Sequence, residues 1–237
     1  AWNTPIRSGG ANELIAEAKE LFRKFPVHVK CVCGVFPASA KEDAICTGEG
    51  VVLPTLRQQS AKSEFLALAD YVAEKEDWIG AFVLSVFGAD ESAEQLRGEG
   101  DDYSALLLKT ASTRLAEAAA EELHLRMARE IWGFEPDVPQ GKQTGAVCPG
   151  IRPAPGYPTL PDHSLKREIF QMLDAEHAVG TRLTESFMMI PQPSVCALVI
   201  ANPAARYFPV GKVQEDQLKE YAARRGFDLE TIRRLIS

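Results

Sequence analysis

No apolar run in the sequence approaches the ~20 residues that a membrane-spanning helix needs, and no basic-then-apolar leader opens it. Neither an anchor nor secretion is expected. Gly-x-Gly-x-x-Gly is absent, so the glycine loop of dinucleotide-binding and common methyltransferase folds is excluded. No basic stripe stands out and the net charge is −7, which argues against a nucleic-acid or membrane-surface partner. The four histidines and five cysteines (Cys31, Cys33, Cys46, Cys148, Cys196) form no Cys-x-x-Cys pair and no zinc-ligand pattern. No secreted disulfide framework is visible, and a reduced, cytoplasmic setting fits best. Cys31 and Cys33 are read as small buried thiols on one face of a strand. Internal repeats and low-complexity tracts are also missing.

What is present is a 237-residue chain, 46% hydrophobic and 25% charged, ordinary for a globular protein. Its most distinctive stretch is Gly150-Ile151-Arg152-Pro153-Ala154-Pro155-Gly156-Tyr157-Pro158. Proline fixes φ and removes a donor, so this run is neither an interior helix nor a central strand. Read by itself it is a rigid surface turn, or a stiff loop that holds a guanidinium beside an aromatic ring. An arginine fork suits a carboxylate, and the carbonyls of Ala154 and Gly156 are expected to be free for a ligand. The wider segment 133–162 carries seven of the fifteen prolines, long for a connection within one domain.

Around it the pattern predicts an amphipathic helix over 11–25, with Leu14, Ile15, Ala18, Leu21, Phe22 and Phe25 on one face. Strands follow at 27–35, at 45–53 with an interruption at the turn-forming Gly48 and Gly50, and at 78–87, with a helix over 62–73 between the last two. A long helix covers 102–131, capped by Asp101 or Asp102, with Leu106, Leu107, Ala111, Leu115 and Ala118 inward. A helix starts at Asp162, a hairpin pairs 183–189 with 195–201, and two short helices close the chain at 213–225 and 229–236. Helices and strands do not alternate strictly, which predicts an α+β fold with a mostly antiparallel sheet.

Eleven short runs, in order, resemble the activation domain of cobalamin-dependent methionine synthase. They include Leu56-Arg57-Gln58-Gln59, Leu68-Ala69-Asp70-Tyr71-Val72, Trp78-Ile79-Gly80-Ala81-Phe82, Asp101-Asp102-Tyr103, Arg114-Leu115-Ala116-Glu117-Ala118 and Leu123-His124. Trp132-Gly133-Phe134, the proline loop, Asp162-His163, Leu183-Thr184-Glu185-Ser186-Phe187 and Tyr207-Phe208-Pro209-Val210-Gly211-Lys212 continue the series. The likeness spans roughly 34–226, so 1–33 is expected to be an extension carrying the first helix and strand, and 34–237 the domain. It implies a twisted, curved antiparallel sheet flanked by helices.

The resemblance also implies a binder of S-adenosylmethionine that supports reductive methylation of a corrinoid carried by another domain or subunit. A reduced flavoprotein is the implied electron donor. Position by position it points to Asp70, Glu117, Arg152, Ala154, Tyr157 and Tyr207 as ligand residues, with Glu185 as a further candidate. Arg152 is then the carboxylate partner and Asp70 and Glu117 the acids, their side chains expected to lie within about 10–15 Å of one another and to line one groove. No catalytic residue and no metal site is implied. The ordinary alternatives are a solvated ion pair of Glu117 with Arg114 and a core tyrosine at 207. Ala146, Leu198, Val199, Asn202 and Leu160 depart from the family's pattern, which suggests an altered corrinoid-facing surface. A non-catalytic docking module for a corrinoid protein is therefore the alternative reading. Position 175 is alanine, so His177 and Gly180 do not make a cobalamin-binding motif, and cobalamin is expected only through a partner.

Overall fold

The computed structural model describes residues 10–60, 64–135, 137 and 150–236. Seven helices are described: α1 (Gly10–Lys24), α2 (Ala89–Gly98), α3 (Asp102–Arg126), α4 (Lys166–Leu173), α5 (Ala175–Val179), α6 (Glu215–Arg225) and α7 (Leu229–Leu235). The strands are β1 (His28–Lys41), β2 (Ala44–Thr47), β3 (Val52–Pro54), β4 (Asp77–Phe87), β5 (Arg182–Leu183), β6 (Met189–Ile190) and β7 (Ser194–Val199). A curled antiparallel sheet runs β3-β2-β1-β4-β7, and β5 pairs with β6 in a separate hairpin. The α+β, antiparallel expectation therefore holds. β1 crosses the 33/34 boundary as one strand, its residues 28–38 paired to β4.

β4 is apolar on both faces because helices cover both sides of the sheet. Ile79, Ala81 and Val83 face a core built with α4, α6 and α7. Phe82, Leu84 and Val86 face Ala116, Ala120 and Leu123 of α3 and Met127 just after it. Ser85 is the polar exception, and its hydroxyl is bonded to Thr181 at 2.6 Å and to Ser194. A third cluster packs Phe25 against Ala93 and Leu96 of α2 and Ala105 and Leu108 of α3.

Several expectations are corrected. Residues 64–67 are not helical, and only Leu68–Tyr71 makes a single 3-10 turn. Ala67, Leu68 and Ala69 are all buried, so the chain threads the core rather than showing it one helical face. β7 pairs with β4, not with 183–189: the prolines after Ile190 carry the chain from the small hairpin to the central sheet. α2 was not anticipated, although Asp90 and Glu91 in its first turn and Arg97 in its last are a dipole-matched start and stop. In α3 the buried stripe is Ala105, Leu108, Ser112, Ala116, Ala120 and Leu123, one position away from the expected one, and Leu106 is exposed. Small residues let this helix lie close to the sheet. Its last turn widens into a π turn over Met127–Ile131. Leu14 and Ile15 are exposed, because only the C-terminal half of α1 reaches a partner. Cys31 is exposed and Cys33 half-buried, so they are not a buried pair; Cys148 lies outside the described residues. Among the described residues no helix is long and apolar enough to cross a membrane.

Candidate functional site

The proline loop begins as an addition to a sheet edge. Ile151 exchanges backbone hydrogen bonds with Ile200 (3.0 and 2.9 Å), and the Leu198 N–H donates to the Pro153 carbonyl at 3.0 Å. Proline is tolerated there because only its carbonyl is asked to bond. The loop then turns back on itself through Gly156 N–H to Leu160 O (2.8 Å) and Tyr157 N–H to Ala154 O (3.2 Å). The Ala154 carbonyl, expected free, thus already accepts one bond inside the turn, leaving its second lone pair. Further on, Thr159 Oγ1 donates to Phe208 O at 2.7 Å and Val210 N–H to Pro158 O at 2.8 Å. The loop is held along its length by β7 and by the 207–210 segment.

Arg152 stands where these elements meet. Its N–H donates to the Tyr207 hydroxyl at 2.8 Å, across 55 residues of sequence. Its guanidinium lies 3.3 Å from Nδ1 of His124, a buried residue of α3. A guanidinium only donates, so Nδ1 is the acceptor in this contact. Arg152 is half-buried, and no carboxylate among the described residues pairs with it. Glu117 lies seven residues before His124, close to two helical turns along α3. It is exposed and paired with Arg114 at 2.7 Å, the ion pair that helical spacing suggests. Tyr207 is 57% exposed rather than core; Phe208 behind it is the buried member of the pair. Tyr157 is 66% exposed.

Asp70 is the third residue of the 3-10 turn Leu68–Tyr71. Its Oδ2 accepts the Ala67 N–H at 2.8 Å and Arg57 Nη1 at 2.8 Å, and its Oδ1 accepts Arg57 Nη2 at 2.7 Å. Partial burial raises its pKa, but the hydrogen bonds from Arg57 and Ala67 outweigh that and hold it below the ordinary carboxylate range. The next residue links it toward the loop: Asn202 Nδ2 donates to Tyr71 O at 3.1 Å, just beyond the Ile200 that pairs with Ile151. A cavity of about 260 Å³ is lined by Tyr71, Asp77, Trp78, Ile200, Ala201, Asn202 and Pro203, on the side of Tyr71 and Asn202. Beside Asp70 opens a groove of about 630 Å³ that also carries Lys41, Glu42, Glu74 and Lys75.

Contacts therefore connect Arg152, Tyr207, the helix of Glu117 and, through Asn202, the segment of Asp70. Glu185 is exposed on the turn of the small hairpin, and no hydrogen bond or ion pair joins it to the loop among the described residues. The supposed change of surface needs correcting. Leu198 and Val199 are buried on opposite faces of β7, and Leu160 is core, so these departures are packing changes. Only Asn202 is partly exposed; Ala146 lies outside the described residues. Arg57, His124 and Gln217 were not singled out as site residues. Arg57 and His124 belonged to family-like runs, while nothing local marks Gln217.

A curled antiparallel sheet with a stitched Arg-Pro-x-Pro-Gly-Tyr loop at its edge defines an activation-domain class of fold. The family model described as "Vitamin B12 dependent methionine synthase, activation domain" matches residues 3–226, and the chain belongs to that family. Among solved structures it is similar to one titled "Crystal Structure of the MetH Reactivation Domain bound to AdoHcy". The likeness has a TM-score of 0.87 and 33% identity, covering 95% of this chain and 76% of that one.

Proposed function

We propose that the chain binds S-adenosylmethionine across the proline loop and supports reductive methylation of a corrinoid held by another domain or subunit. The carrying observation is Arg152: a half-buried guanidinium without a described carboxylate partner, its peptide pinned by Tyr207 and its side chain by His124. That is a prepared carboxylate receptor, and a free amino acid moiety supplies the carboxylate. Asp70 offers a fixed negative charge for the ligand's ammonium, Glu117 a second acid. Tyr157 and Tyr207 supply exposed rings, and Ala154 a backbone edge. Glu185 is kept as a more distant candidate. The likeness to a domain bound to AdoHcy, the demethylated form of the ligand, supports the same reading.

When bound, S-adenosylmethionine supplies a methyl group to a reduced cobalt centre, with the electron from a donor such as a reduced flavoprotein. This transfer asks no proton abstraction of the protein, and the chain's part is to orient the ligand and hold it at an open face. A cytoplasmic setting fits this chemistry. Titration calorimetry with S-adenosylmethionine tests the reading: one site per chain is expected. No heat at millimolar ligand would leave the docking-module alternative, which the burial of Leu198 and Val199 weakens.

A further inference from the structure

Arg57 spends every N–H it has. Nε and Nη2 donate to Asp43 Oδ1, Nη1 to the Phe65 carbonyl and to Asp70 Oδ2, and Nη2 also to Asp70 Oδ1. Its own peptide is fixed as well. The Arg57 N–H donates to Gln217 Oε1 at 2.7 Å, and Gln217 Nε2 donates back to the Arg57 carbonyl at 2.9 Å. Gln217 lies on α6, 160 residues away in sequence. A planar fork held at both ends cannot swing, so its orientation passes to the carboxylates it grips.

The consequence falls on Asp70. A carboxylate has about four lone-pair sites. Arg57 and the Ala67 N–H fill three, two on Oδ2 and one on Oδ1. One site on Oδ1 remains for a ligand. Two carboxylates share one guanidinium, so Asp43, Arg57 and Asp70 together keep a net charge of −1, enough to favour one cation.

We propose that Arg57 is the positioning residue of the ligand site, which aims Asp70 Oδ1 at a single cationic donor of the ligand and keeps Asp70 ionised, with Gln217 of α6 holding Arg57 in place. The inference rests on the reading that Asp70 meets the ammonium of S-adenosylmethionine. The charged groups around Asp70 are Arg57, Asp43 and, along the groove, Lys41, Glu42, Glu74 and Lys75.

The test is a double-mutant cycle read at several pH values. S-adenosylmethionine affinity is measured by calorimetry for wild type, Arg57→Gln, Asp70→Asn and the double variant between pH 5 and pH 8. The Asp70 carboxyl is titrated by ¹³C NMR without ligand. Arg57→Gln is expected to weaken binding about tenfold at pH 7.5, and further as the pH falls, while wild type stays flat. The double variant should bind no worse than Asp70→Asn alone, because the effect of Arg57 passes through Asp70. The Asp70 titration should move up in Arg57→Gln. Additive losses, or an unmoved Asp70 titration, would overturn the inference while wild-type binding preserves the proposed function. A wild type that does not bind S-adenosylmethionine would overturn both. Should Arg57→Gln not fold, Gln217→Ala takes its place with the same readouts and the same expected directions.

Discussion

The backbone N–H of Arg152 donates to the hydroxyl of Tyr207, 2.8 Å away. The bond fixes the peptide from which the Arg152 side chain departs, so an exposed tyrosine sets the stance of the loop's only cation. Tyr207→Phe removes the acceptor and little else. It is expected to weaken S-adenosylmethionine binding by about 0.5–1.5 kcal/mol, with the urea midpoint almost unchanged because the ring is mostly in solvent.

Arg152→Ala should cost more, about 1.5–3 kcal/mol of binding, the range for hydrogen bonds to a charged group. Arg152→Lys should fall between wild type and Ala, since a point charge cannot make the bidentate pair. Calorimetry on the three proteins checks the order; equal affinities would remove Arg152 from the site.

Gly156 has φ +95, and a Cβ there would lie 2.3 Å from the His163 ring. Gly150 has φ +68, and its Cβ would meet the Ile200 carbonyl at 2.2 Å. Alanine at either position is strained, and at 150 the clash is with backbone that also pairs with Ile151. Gly150→Ala is expected to destabilise the chain by roughly 1–3 kcal/mol and to weaken ligand binding further. Urea unfolding and calorimetry read the two effects separately.

The far end of the loop is locked by buried charges. Arg225 lies 3.0 Å from Asp162 Oδ2 and 2.8 Å from Glu168 Oε1, and its Nη2 donates to Ser164 at 2.7 Å. The Tyr221 hydroxyl donates to Asp162 at 2.8 Å. Breaking a buried pair on one side leaves an uncompensated charge, so Arg225→Leu should cost about 3–5 kcal/mol. Tyr221→Phe, which deletes one bond to the same carboxylate, should cost about 1–3 kcal/mol. Chemical denaturation decides, and a loss below 1 kcal/mol for Arg225→Leu would contradict the network's role.

Acid should destabilise the protein in two stages. Burial, then the charge of Lys166, 2.8 Å from its Nδ1, push the His163 imidazole below its ordinary 6.5. The unfolded chain therefore binds the proton first, and stability is lost as the pH falls below 6.5 toward the folded value. Burial raises Glu168, but hydrogen bonds and charge from Arg225 prevail and hold it below its ordinary 4.5. Its contribution is present above 4.5 and lost as the pH drops through the folded value. Urea midpoints should thus decline first as the pH falls below 6.5, and His163→Gln should flatten that first decline alone.

Local patterns were enough for some of this. Asp101 and Asp228 cap α3 and α7 as their positions suggested, accepting from the Ser104 and Thr231 N–H groups. The strand pattern of β1 and β4, the closing helices and the loop course of the proline run were legible too, because capping, periodicity and fixed φ act within a few residues. The Arg114–Glu117 pair belongs with them. The Asp70 segment was misread as helix because short apolar runs look alike whether they coil or thread a core. The pairing of β7 with β4, the contact of Arg152 with Tyr207 and the grip of Arg57 on Asp43 and Asp70 were decided only by the tertiary structure. Each joins elements whose meeting depends on how the sheet curls and which helix covers it, and side-chain periodicity reports that a face is buried without naming what buries it.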